Sequence, residues 1–109
     1  MVFKNMENEL ISGLLDIFGN NLSKIILYGS VARNEQTDES DIDVAVIITN
    51  PVSSDVRNLF INWSAQMDLK YDCVLSVIDI EKEKFDMWEN TLPFYKNVSR
   101  EGIVLWTAA

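Results

Sequence analysis

Apolar positions recur along the chain in two rhythms, which divide it into helices and strands. Between residues 4 and 18, Leu10, Leu14 and Phe18 recur every four positions, and Ile11, Leu15 and Ile17 widen the stripe. Asn5, Glu7, Asn8, Glu9 and Asp16 take most of the other face. That is the period of a packing helix, and Gly19-Asn20-Asn21 stops it. Lys24–Tyr28 (KIILY) is a short, Ile-rich run bounded by Gly29, as a buried strand is. Asp41–Thr49 (DIDVAVIIT) predicts a second strand. A period of two puts Asp41, Asp43, Ala45 and Ile47 on one face and Ile42, Val44, Val46 and Ile48 on the other.

Asn50-Pro51 ends that strand. Ser53 or Ser54 then caps a helix running to about Leu69, with Val56, Leu59, Phe60, Trp63 and Met67 as its apolar stripe. This reads as a crossover helix covering one sheet face. Tyr71–Ile80 (YDCVLSVIDI) predicts a third strand. Tyr71, Cys73, Leu75 and Val77 share one of its faces, and Asp72, Val74, Ser76 and Ile78 the other. Glu81–Asp86 is a charged turn or short helix. Pro93 opens a helix over Phe94–Arg100. Glu101-Gly102 closes it, and Ile103–Trp106 is a short last strand.

Composition narrows the chemistry. With 109 residues and 48% hydrophobic content, the chain is expected to form a single domain over 1–109, with a core that needs no metal or disulfide. No apolar run approaches the ~20 residues that span a bilayer, so no membrane association is expected. The N-terminus resembles neither a signal nor a transit peptide. The single cysteine, Cys73, fits a reducing cytoplasm. Net charge is −8, from 17 acidic and 9 basic residues without a basic cluster. Duplex nucleic acid is therefore not the expected principal partner, whereas a nucleotide carrying metal is compatible. There is no histidine. That excludes Ser-His-Asp and Cys-His catalysis and His-ligated zinc. Carboxylates are left as ligands, and their oxygens suit Mg and Mn.

The chemistry concentrates between Leu27 and Val46 (LYGSVARNEQTDESDIDVAV). Gly29 and Ser30 follow the first strand, with Ser30 as the expected N-cap of a brief helix over Val31–Asn34. Such a helix start aims free N–H groups and partial positive charge at one point, and glycine lets a phosphate approach the backbone. An ordinary turn carries the same pair. Asp41 and Asp43 lie about 7 Å apart on one strand face. Asp is disfavoured in strands, and like charges on one face repel. A divalent cation offsets both costs, although a solvated strand entrance shows the same pattern. Asp72 stands at the start of the third strand and adds a third carboxylate if the two strands are neighbours in register; a strand-end Asp in solvent is the other reading.

The pattern Gly29-Ser30, ten residues, then Asp41-x-Asp43 resembles the signature of DNA polymerase beta-like nucleotidyltransferases. With the flanking YGSVAR and SDIDVAVI, the chain is similar to the minimal nucleotidyltransferases of prokaryotes. The likeness extends to YDCVL, where Asp72 matches a third acid, and to YKNVSREGIVLW at the end. Asn34 departs from the glycine common in the family; of the other residues Asn best tolerates a left-handed backbone. The resemblance implies an α/β nucleotidyltransferase fold, a mixed sheet of about four strands with helices packed on it. It implies two Mg2+ ions on Asp41, Asp43 and Asp72, which are the catalytic carboxylates, and ATP as donor, with Gly29 and Ser30 on the β/γ-phosphates. Arg33 would help neutralise the phosphates or serve as an ordinary surface residue. It also implies an antitoxin that transfers AMP to a tyrosine of a HEPN toxin partner. Two other readings stand beside it: adenylylation of a small hydroxylated molecule, and a non-catalytic toxin-binding antitoxin. Trp88, Phe94 and Trp106 are candidates for a partner surface or for the core. Homo- and hetero-oligomers both remain open.

Overall fold

The computed structural model describes residues 2–29 and 41–108. The expected helix at 31–34, together with Ser30 and Arg33, lies outside them. Helix α1 (Val2–Phe18) runs into a single 3-10 turn, Gly19–Asn21, and then β1 (Leu22–Tyr28). Strand β2 (Ile42–Ile48) is followed by α2 (Ser54–Tyr71) and β3 (Leu75–Glu81). Two shorter helices, α3 (Lys82–Trp88) and α4 (Pro93–Glu101), lead to β4 (Ile103–Thr107). The sheet order is β3-β2-β1-β4. β1 is antiparallel to β2 and β4, and β2 is parallel to β3 through the α2 crossover. This is the mixed four-strand sheet with packed helices expected from the sequence.

The two faces predicted for β2 are the two faces observed. Ile42, Val44, Val46 and Ile48 join Leu10 and Leu14 of α1 and Phe60 and Met67 of α2 in one core. Ala45 and Ile47 meet Phe85 of α3 and Val98 of α4 in a second. β1 divides likewise, with Ile25 and Leu27 on the first face and Ile26 and Tyr28 on the second. An irregularity between Leu22 and Lys24 also lets Leu22 join the first face. Gly13 lets α1 and α2 approach closely, because a Cβ there would run into the Trp63 indole.

The β1–β2 register is fixed at the end away from Gly29. The Asn21 side chain donates to the Asn50 carbonyl (2.9 Å) and accepts from the Asn50 N–H (2.8 Å). The Thr49 N–H donates to the Asn21 carbonyl (2.9 Å). With that end clamped, Tyr28 stands opposite Asp43. A slip of one residue would turn Asp43 into the α1/α2 core.

Two expectations need correcting. Leu59 is 58% exposed, so it is not part of the α2 stripe, whereas Ser53 does cap α2, accepting from the Val56 N–H. The third strand begins at Leu75, not at Tyr71. The last turn of α2 is pinned in helical form by α1, because Glu9 accepts from both Lys70 Nζ (2.7 Å) and Tyr71 Oη (2.7 Å). Asp72 then takes the left-handed conformation that ends the helix (φ 49°), a conformation Asp tolerates better than most residues. The Asp68 side chain accepts from the Leu75 N–H (2.8 Å) and closes the turn into β3.

Candidate active site

The candidate site lies where β1 ends and β2 begins. β1 delivers Tyr28 and then Gly29, whose backbone is left-handed (φ 75°). β2 delivers Asp43 on the same face, and Asp41 stands exposed just before the strand. Gly29 and Asp43 are in intimate contact. A Cβ at residue 29 would collide with Asp43 Oδ2 and lie 3.2 Å from its Cγ. Glycine is therefore required twice, by its φ and by the carboxylate beside it. The spacing in the sequence becomes a geometric fact: the turn glycine and the second aspartate form one corner.

Tyr28 and Phe94 also belong to this corner. Burial raises the Tyr28 phenol above its ordinary pKa, and the Asp43 charge raises it further. The Tyr28 ring meets Phe94 at the start of α4 edge-to-face, with centroids 5.7 Å apart. Phe94 in turn packs on Tyr95, and Tyr95 lies by Phe85. One weak sign of this is visible along the chain: Tyr28 has a polar tip, directly precedes Gly29, and shares Asp43's face once the strands pair.

Asp72 is placed differently from the aspartate pair. It ends α2 three positions before Leu75, the β3 residue that pairs with Ile42. Among the described residues, no three His, Cys, Asp or Glu side chains gather closely enough to hold a metal ion. No polar or charged side chain among them is fully buried: Asp41 and Asp72 are exposed and Asp43 is half-buried. The donor chemistry of Asp41 and Asp43, oxygen only and with the Asp43 carboxylate set against the Gly29 backbone, fits a hard divalent cation.

A four-strand mixed sheet, with a glycine turn and an aspartate pair at the joint mouth of its central strands, defines the nucleotidyltransferase class. The chain belongs to the polymerase beta nucleotidyltransferase family, which matches residues 14–108. It is 36% identical over 98 residues to a Methanocaldococcus jannaschii protein named "putative protein adenylyltransferase", covering 90% of this chain and 92% of that protein. A second protein of that organism and name is 32% identical over 74 residues, 68% of this chain and 75% of its own. Solved structures share the fold. A toxin–antitoxin complex with AMP-PNP matches with a TM-score of 0.65 at 23% identity, over 94% of this chain and 73% of that one. A Shewanella oneidensis complex of a tri-AMPylated HEPN toxin with its MNT antitoxin matches with a TM-score of 0.62 at 21% identity, over 99% and 74%. Among the described residues no helix is long and apolar enough to cross a membrane.

Proposed function

We propose that this chain is a protein adenylyltransferase that moves AMP from ATP onto a tyrosine of a HEPN toxin and so acts as its antitoxin. The observation that carries the reading is the contact of left-handed Gly29 with the Asp43 carboxylate at the mouth of β1 and β2. Its relatives named for protein adenylylation support the choice of a protein acceptor. So does the acidic balance of the chain, which disfavours a nucleic-acid acceptor.

In this reading Gly29 and Ser30 present the backbone to the β- and γ-phosphates, and Arg33 adds a positive charge. Asp41 and Asp43 would hold the two Mg2+ ions. When bound, these cations neutralise the triphosphate and polarise its α-phosphorus. The acceptor phenol forms a new bond from its oxygen to that phosphorus, the bond to the β-phosphate bridging oxygen breaks, and pyrophosphate leaves. The phenolic proton passes to a carboxylate, for which Asp72 is the candidate. To complete a three-carboxylate set with Asp41 and Asp43, the Asp72 side chain would have to stand closer to them than it does among the described residues.

Co-expression with the HEPN protein of its own source genome tests this reading. Intact-mass measurement should show that protein heavier by one or more AMP units, and the added mass should vanish with Asp41→Asn and Asp43→Asn. An unmodified HEPN protein, still silenced by the doubly substituted chain, would instead establish blockade by contact. Transfer to a small hydroxylated compound but not to the protein would establish the small-molecule reading.

A further inference from the structure

The corner between α3 and α4 exposes four large apolar side chains within eight residues. Met87 is 58% exposed, Trp88 37%, Leu92 39% and Phe94 41%. The backbone there is held by its own hydrogen bonds, with the Thr91 and Leu92 N–H groups both donating to the Trp88 carbonyl at 3.0 Å. This apolar surface is therefore presented on an ordered turn. It also connects to the candidate site, since Phe94 packs on Tyr28 and Tyr28 stands opposite Asp43.

We propose that this corner is the docking surface for the protein acceptor, and that it delivers the acceptor hydroxyl to the aspartate pair. The proposal rests on the adenylyltransferase reading for what is delivered. Three features favour a protein of different sequence as occupant. One nucleobase covers a single ring, whereas Trp88, Leu92 and Phe94 offer several side chains of protein-interface character. A second copy of the chain would bring another net charge of −8 against the first. An anionic membrane is disfavoured by the same charge. A partner with a basic rim around an apolar centre meets both the patch and the field of the chain.

The test uses the purified full chain and the purified HEPN protein, with direct binding, AMP transfer and Mg-ATP affinity measured separately. Trp88→Ser combined with Leu92→Ser, which spares the Phe94 contact with Tyr28, should weaken binding of the HEPN protein about 30-fold or more, the effect of losing one interface hot spot. Its KM as acceptor should rise in step, while Mg-ATP affinity stays within about twofold. Leu69→Ser, at an 86% exposed position on α2, should change none of these and controls for surface apolarity alone. Four outcomes overturn the proposal: no HEPN binding by the unsubstituted chain, unchanged HEPN binding by the double variant, loss of Mg-ATP affinity in its place, or conversion of a homodimer to monomer. HEPN binding that depends on the patch without any AMP transfer upholds the surface and overturns the adenylyltransferase reading.

Discussion

The two faces of the sheet are made from the same strands and do different work. The α1/α2 face buries long apolar side chains from five elements, including Met6, Leu10, Leu14, Ile25, Val44 and Met67 at 2% exposure or less. The α3/α4 face buries fewer and smaller ones, with Ala45 at its centre, and it leaves Tyr28 and Tyr95 only partly covered. Gly29 and Asp43 lie on this thinner face. One side of the sheet thus supplies most of the apolar burial that opposes chain entropy. That leaves the mouth of the other side free to hold charges in reach of solvent. Strand parity separates most of the apolar burial from the proposed chemistry, so substitutions one residue apart on β2 should report on different properties.

Asp43→Asn gives the largest expected contrast. It changes one atom at the mouth of the α3/α4 face and removes a charge from the proposed metal and phosphate site. AMP transfer should fall by at least about a thousandfold, equivalent to about 4 kcal/mol of activation free energy. The thermal melting temperature should change little, because Asp43 belongs to neither apolar core. A variant that unfolds instead would show that Asp43 is structural and would break the division between faces. Leu14→Ala should behave in the opposite way. Leu14 is fully buried beneath α1, and the substitution should cost about 2–5 kcal/mol in urea unfolding. AMP transfer per folded molecule should be unchanged.

Much of this division was legible in the sequence, for a physical reason. Strand parity needs only an extended run with no Gly or Pro, and DIDVAVIIT is such a run, so both faces of β2 could be assigned before any strand was paired. The Asp72 neighbourhood was less legible. Tyr71, Cys73, Leu75 and Val77 do alternate, but Tyr71 is held at the end of α2 by Glu9, a residue distant in sequence. Local pattern carries no information about that bond. The Tyr28–Phe94 contact was hidden for the same reason, since it joins the end of one strand to a helix that follows the rest of the sheet's central strands.

Gly29→Ala sharpens the comparison from within the site. The new methyl would meet Asp43 Oδ2, and alanine resists the left-handed backbone by about 1–2 kcal/mol. Asp43 would have to move to make room. Stability should therefore fall by about that amount in urea unfolding, and AMP transfer should fall by much more than the unfolded fraction explains. The double variant Gly29→Ala/Asp43→Asn should lose less than the two single losses combined, because part of the Gly29→Ala effect acts through the Asp43 carboxylate. Additive losses in the double variant would mean that Gly29 serves the phosphates by a route independent of Asp43.

The smallest expected effect lies on the α1/α2 face, where charge contributes to stability at one position of β3. Asp79 receives a two-pronged hydrogen bond from Arg57 of α2, at 3.1 and 2.8 Å. That bond holds the Asp79 carboxyl below its ordinary pKa, and burial opposes the shift only in part. A depressed folded pKa means that the unfolded chain binds the proton more readily. The stabilisation is then complete above the ordinary carboxylate pKa of about 4, and is lost as pH falls through the folded value. Asp79→Asn should lower the urea midpoint slightly at neutral pH, as exposed or half-exposed ion pairs usually do. The gap between variant and parent should hold as pH falls from about 7 to about 5 and close at lower pH. A gap that persists in strong acid would show that Asp79 contributes by packing and not by charge, and the α1/α2 face would then owe its stability to apolar burial alone.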